Sequence, residues 1–201
     1  MATAPRYYAE YLRLDRLLDA QRLASAGRGS PAHDEMLFII VHQAFELWFK
    51  QILWELDAVM ATMAADHVPS RELSRVVARL RRITEIQPLL RQQLEVLETM
   101  TPLDFLDFRD ELVPASGFQS VQFRLIENRL GVDPATRLRI KGAPYHAVLT
   151  PEDRKLVEEA QRAPSLRDHL DRWLARTPFL RFGDFEFWRA YRAAVNQMLE
   201  R

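Results

Sequence analysis

The sequence predicts an all-α fold, a bundle of long helices, on three observations. Apolar residues recur at three- and four-residue spacing through most of the chain, the mark of amphipathic helices. No stretch alternates apolar and polar residues over several positions, as a half-buried strand would. Prolines and glycines fall between the periodic segments, where helices start and stop.

Taken in order, Tyr7 to about Ser25 reads as a first helix. Leu12, Leu14, Leu17, Leu18 and Leu23 form its apolar side, and Glu10, Arg13, Asp15, Arg16 and Asp19 its polar side. Gly27 to Ser30 is a turn. The stretch Ser30–Met63 reads as one long aromatic-rich helix, about 50 Å at 1.5 Å per residue. Ser30 is its expected N-cap and Pro31 its first position, with Asp34 and Glu35 in the first turn, where the dipole favours negative charge. A third helix is expected from about Arg71 to Met100, kinked or broken at Pro88, since proline lacks a backbone donor and clashes with the preceding turn. Thr101-Pro102 opens a short helix to Leu112, and Val113–Gly117 is a loop. Phe118–Leu130 reads as a helix ended by Gly131 as the residue past the C-cap. Val132–Thr150 reads as loop. Pro151 starts a helix to about Arg162, Ser165 another to Arg176, and a last helix is expected from Asp184 to Glu200, with Phe185, Phe187, Trp188 and Tyr191.

The 201 residues suffice for one core, and a single domain over 1–201 is expected. Lys+Arg and Asp+Glu both number 28, so there is no basic excess of the kind that marks a nucleic-acid partner. With no cysteine, thiolate metal ligation, thioether-linked haem, a disulfide and a cysteine nucleophile are all excluded within the chain. The N-terminal segment has no apolar core of a signal peptide, and the longest unbroken apolar run, Met36–Val41, is too short to span a bilayer. A soluble cytoplasmic protein is the expectation.

A helical bundle with carboxylates and histidines invites a di-iron centre, which needs Glu three residues before His on inward faces. The residues three before His33, His42, His67, His146 and His169 are Ser30, Ile39, Ala64, Ala143 and Leu166. That constellation is absent, as are zincin and phosphate-loop motifs. His42 stands out, because it shares a helix face with Phe38 and Phe45, with Phe49 beyond. Two readings stay open for it. It is a core histidine satisfied by a carbonyl or by Glu46, or a neutral imidazole offering one hydrogen bond to a ligand in an aromatic pocket. Arg109 is either a surface arginine paired with Asp107 or Asp110, or a clamp for a carboxylate. Ser116 and Gly117 precede a helix N-terminus, where free amides can meet an anion or oxygen. Tyr8 and Tyr11 read, on periodicity, as packing residues.

Two blocks go beyond periodicity. His33–Lys50, HDEMLFIIVHQAFELWFK, and Pro114–Gly131, PASGFQSVQFRLIENRLG, resemble the signature blocks of tryptophan 2,3-dioxygenases. Tyr8–Leu18, YAEYLRLDRLL, resembles the N-terminal helix of that family, and Thr101–Asp110, TPLDFLDFRD, its carboxylate-binding segment. The resemblance is near-continuous from Tyr8 to Gly131 and persists more weakly through Ala163–Leu166.

It implies a cytosolic all-helical homotetramer that binds haem b and inserts dioxygen across the indole C2–C3 bond of L-tryptophan. The product would be N-formylkynurenine, the first step of tryptophan catabolism by the kynurenine route. By position, His42 resembles the distal histidine that hydrogen-bonds the indole nitrogen, and Phe38 the aromatic wall beside the indole. Arg109 resembles the arginine that holds the substrate carboxylate. Phe105 occupies a neighbouring aromatic position and lacks the hydroxyl for a tyrosine-type bond. Ser116 and Gly117 resemble the loop on the distal side of the haem. Tyr8, Tyr11 and Leu12 resemble residues lent to a neighbouring subunit's pocket, which replaces the packing reading of the tyrosines.

The resemblance also implies a proximal histidine and a Gly-Thr-Gly-Gly-Ser run, and neither occurs here; the match is to the N-terminal two-thirds of the family. The segment FEFWRAYRAAVNQMLER resembles the helix before that region. His146 and His169 are then the later histidines available as axial ligands. Three expectations follow: part of a tryptophan dioxygenase; a short homologue completed by another chain or acting on another aromatic amino acid; or a helical interaction module without haem.

Overall fold

The computed structural model describes residues 6–137 and 144–176, together with helical positions 189, 192, 193 and 196. Apart from those four positions, the helix expected from Asp184 to Glu200 lies outside the described residues. Among the described residues there are helices and turns and no strand, so the all-α expectation holds.

The first helix is not continuous. It divides into α1, Tyr8–Leu12, and α2, Leu14–Leu17, at Arg13, whose φ of 54° lies in the left-handed region. The chain then passes through a turn and an irregular stretch to a 3₁₀ turn, Ala24–Arg28. The leucines expected to face a core are largely open instead: Leu12, Leu17 and Leu18 are all exposed, as are Tyr7, Tyr8 and Tyr11. The single helix with one apolar side that periodicity suggested is thus overturned by the break at Arg13 and the open leucines.

The central helix, α3, spans Glu35–Met63. It starts later than expected. Asp34 rather than Ser30 is the N-cap, because residues 31–34 are drawn into a turn by the two residues around them. Ser25 Oγ accepts from Ala32 N at 2.9 Å, and Glu35 turns back to accept from Ala24 N at 2.7 Å and Ser25 N at 3.0 Å. Glu35 and Ser25 are both almost wholly buried. Burial works to raise the Glu35 pKa, but the bonds from the Ser25 hydroxyl and the two amides outweigh it and hold the carboxyl below its ordinary value. The sign is that of a depressed acid: its contribution to stability is full above the unfolded carboxylate pKa and is lost as pH falls through the folded one. Glu35→Gln should therefore flatten the acid limb of a stability–pH profile. It should also cost about 1–3 kcal/mol near neutral pH, because the new amide cannot accept at both oxygens. Urea unfolding at several pH values measures both effects, and an unchanged acid limb would show that Glu35 is not the group responsible.

α4, Ser70–Leu97, packs antiparallel to α3 as its longest contact. It runs through Pro88 without ending, so of the kink or break that proline suggested the break does not occur. Val76, Ile83 and Ile86, at helical spacing, face Ile52, Leu56, Val59 and Met63 of α3, with Ile126 and Leu166 closing the same core. Leu56 and Val59 have no exposed surface. The buried Glu55 joins the two helices by accepting from Gln51 at 2.8 Å and pairing with Arg82.

Thr101 caps α5, Pro102–Arg109, through a reciprocal box with Asp104. A 3₁₀ turn, Asp110–Leu112, follows. The helix expected from Phe118 begins at Val121 instead. Residues Gly117–Gln119 form a separate 3₁₀ turn, and Ser120 caps α6, Val121–Leu130, by accepting from Phe123 N. Gly131 ends α6 in the left-handed region at φ 81° as expected, and a Cβ there would stand 2.6 Å from Ser165 Oγ. α7, Pro151–Arg162, and α8, Leu166–Arg176, pack on α6, and α8 also touches α3. The described parts of the loop between α6 and α7 carry 3₁₀ turns at Pro134–Thr136 and Tyr145–Val148.

By length and composition α3 could cross a membrane, a property that its short unbroken apolar run concealed. Its apolar residues serve several directions at once. Ile52, Leu56 and Val59 enter the core, Phe38, Phe45 and Phe49 line a pocket, and Ile40, Leu47 and Trp54 stand exposed.

Candidate functional site

The pocket lies where the first half of α3 faces the loop 115–120 and the start of α6. It holds about 950 Å³ and is open on one side. Phe38, His42, Phe45 and Phe49 line it from α3, spaced so that one helix face presents them together. Phe123 and Phe118 face them, with Leu94 and Leu112 completing the apolar wall. Such an aromatic cavity, with few polar groups, suits a flat apolar ligand.

His42 has its orientation set by its own helix. Its Nδ1 stands 2.7 Å from the Phe38 carbonyl, which only accepts, so Nδ1 carries the hydrogen. In the neutral ring that leaves Nε2 as an acceptor. The carbonyl reading of His42 is thus the correct one of the two partners weighed. Glu46 is engaged elsewhere: Gln122 Nε2 donates to both its backbone carbonyl and its Oε2, each at 2.8 Å.

Phe38 ties His42 to α5. Its ring lies 4.1 Å from the imidazole, 5.8 Å from Phe105 and 5.5 Å from Phe108, centroid to centroid. Phe108 is wholly buried and meets Phe105 edge-on at 5.4 Å. Arg109 follows at the end of this helix. It is exposed, and among the described residues it makes no ion pair with Asp107 or Asp110, so the surface-pair reading is not what forms. Neither Phe105 nor Arg109 lines the pocket itself; Phe105 packs on its wall residue Phe38, and Arg109 follows one turn later on the same helix.

Ser116 and Gly117 do line the pocket. Gln119 organises their loop: Oε1 accepts from Ser116 N at 3.0 Å, and Nε2 donates to Pro114 O and Val148 O at 3.3 Å each. A Cβ on Gly117 would meet no protein atom within 4 Å. Nothing in the chain itself therefore requires glycine there, and the free space allows a ligand to approach the backbone closely.

Tyr8, Tyr11 and Leu12 do not reach this pocket. The arm that carries them is nonetheless fastened beside it, because Gln21 donates to Gln43 Oε1 at 2.6 Å and Gln43 donates to Ala20 O at 3.2 Å. Gln43 lies next to His42 and lines the pocket. His146 and His169 are also outside it. His169 is buried in α8, with Nδ1 accepting from Arg172 at 2.9 Å. Burial and then that guanidinium push its pKa down, so it is held neutral for structural reasons. Among the described residues no cluster of three or more His, Asp or Glu side chains stands ready to hold a bare metal ion.

Sequence reasoning missed Phe123, Leu94, Gln43 and the Glu46–Gln122 pair. Phe118 and Phe123 were signalled only by their place in the block PASGFQSVQFR. Gln43 was signalled in the same way by the block HDEMLFIIVHQAFELWFK, and Leu94 carried no signal, since its role depends on which helices meet.

The whole chain, residues 1–201, matches the family model described as Tryptophan 2,3-dioxygenase. Among curated relatives, the tryptophan 2,3-dioxygenase of Dictyostelium discoideum is 50% identical over 194 residues, which is 96% of this chain and 48% of that protein. That of Bdellovibrio bacteriovorus is 50% identical over 200 residues, 100% of this chain and 56% of that protein. That of Aedes aegypti is 47% identical over 195 residues, 96% of this chain and 49% of that protein. The chain spans about half the length of the curated relatives it matches.

Proposed function

The chain belongs to the tryptophan 2,3-dioxygenase family, and from that premise we propose that its pocket takes part in oxidative opening of the indole ring of L-tryptophan by dioxygen. One observation carries the reading: His42 has its Nδ1–H engaged by the Phe38 carbonyl, which leaves Nε2 free to accept the indole N–H inside an aromatic cavity. Phe38 supplies a flat apolar surface for the ring. Arg109, unpaired with its acidic neighbours and one turn after Phe105 on α5, supplies the cation for the substrate carboxylate. The aromatic walls keep water from the indole, which strengthens its contact with His42.

The family implies haem b, and the pocket fits one face of it. The cavity is large, aromatic and open on one side, and Gly117 leaves its backbone bare toward free space. Ser116, Gly117, Phe45, Phe49 and Phe123 would hold the group. When bound, haem supplies the activation of dioxygen, and the protein supplies orientation and electrostatics. In the proposed assembly, a cytoplasmic homotetramer, the exposed Tyr8, Tyr11 and Leu12 enter a neighbouring subunit's site. Exposure of three large apolar side chains on one arm supports that role.

Haem titration followed by optical spectra, with and without L-tryptophan, tests the proposal. A Soret band that shifts on adding tryptophan is the expected result. A bound-haem spectrum indifferent to tryptophan would reject this pocket as the substrate site, and a spectrum that stays that of free haem at every concentration would favour a helical interaction module.

A further inference from the structure

Arg109 sits on a helix of eight residues, too short to hold its place by its own hydrogen bonds. Two tethers fix it. The apolar one is the contact of Phe105 and Phe108 with Phe38. The polar one starts at Glu35, whose carboxylate pins the Ala24–Arg28 turn through Ala24 N and Ser25 N. At the end of that turn Arg28 crosses to α5. Its Nη1 donates to the Asp107 carbonyl at 3.3 Å, and its Nη2 pairs with Glu111. Asp107 and Glu111 lie two residues to either side of Arg109.

We propose that Glu35 and Arg28 are positioning residues that set where Arg109 presents its guanidinium, and so tune recognition of the carboxylate of an amino-acid substrate. The inference rests on the carboxylate role proposed for Arg109. Glu35 begins α3 one turn before Phe38 and two turns before His42, so a single helix end registers the indole-facing groups and, through Arg28, the carboxylate-facing one. The Arg28–Glu111 pair is half-exposed, and such pairs add little to folding stability. Its use is therefore geometric, and Arg28 can be replaced without unfolding the chain.

The test compares L-tryptophan with tryptamine, which keeps the indole and amine but lacks the carboxylate, by equilibrium dialysis against the haem-loaded chain. In Arg28→Ala, tryptophan binding should weaken about tenfold, the scale expected when a recognition group is displaced from afar, while tryptamine binds as before. Amide exchange in residues 102–112 should quicken while exchange in α4 stays unchanged. Glu35→Gln should act in the same direction, and the charge-swapped pair Arg28→Glu with Glu111→Arg should recover only the part of the loss carried by the ion pair, since a carboxylate cannot donate to the Asp107 carbonyl. Equal loss of both ligands, or unchanged exchange at 102–112 in Arg28→Ala, overturns the relay. Arg109→Ala separates the two levels: if it leaves tryptophan binding intact, the carboxylate role itself fails, and the exchange measurement still decides whether Arg28 positions α5.

Discussion

Phe108→Ala should destabilise the protein by about 3–5 kcal/mol, the range for removing a buried aromatic side chain from a packed core. Phe108 has no exposed surface, and it wedges between Phe38 of α3 and Phe105 of its own helix. Truncation leaves a cavity on the side of Phe38 away from the pocket, so the wall itself loses its backing. Urea unfolding should show a lower midpoint with an unchanged slope. The coupling between Phe108 and Phe38 in a double-mutant cycle should be about 0.5–1.5 kcal/mol, as for edge-on aromatic pairs. A loss under about 1 kcal/mol would mean that the helix can close over the gap and that Phe108 is not what seats α5.

His42→Phe should lower tryptophan affinity by about 1–3 kcal/mol, the cost of leaving one buried polar partner unmet, which is roughly 5- to 150-fold. The substitution keeps an aromatic ring against Phe38, where the two centroids are 4.1 Å apart, and removes only the nitrogens. The discriminating ligand is 1-methyltryptophan, which has no indole N–H. Its affinity should change little between the two proteins, so the preference for tryptophan over its methylated analogue should collapse in the variant. If both ligands weaken equally, His42 contributes packing and not an acceptor.

The long helix was legible because its period is strong and its content aromatic, and the shared face of Phe38, His42, Phe45 and Phe49 followed from spacing alone. The partner of His42 was not legible. A carbonyl one turn back and Glu46 one turn on are equivalent by sequence, and the choice fell to Gln122, which is 76 positions away and occupies Glu46. The start of α3 was misplaced for a similar reason. Ser30 and Pro31 are good opening residues, but Glu35 and Ser25 form a buried contact that holds the intervening residues in a turn. Pro88 broke a rule without breaking its helix, since α4 has Val76, Ile83 and Ile86 buried against α3 to hold it.

By itself the sequence determined the helical class, the order of the elements, the Gly131 stop, the lack of thiol chemistry and, through its signature blocks, the family. These depend on local backbone preference and on residue identity. The tertiary structure alone decided that α3 and loop 115–120 enclose one pocket, that Arg109 stands free of its acidic neighbours, that the N-terminal arm leaves its tyrosines bare, and that Arg28 reaches α5. The pocket and the Arg28 bridge are contacts between residues far apart in the chain, and the other two are what that packing leaves uncovered; partners at that range are chosen by how helices pack, which no local pattern encodes.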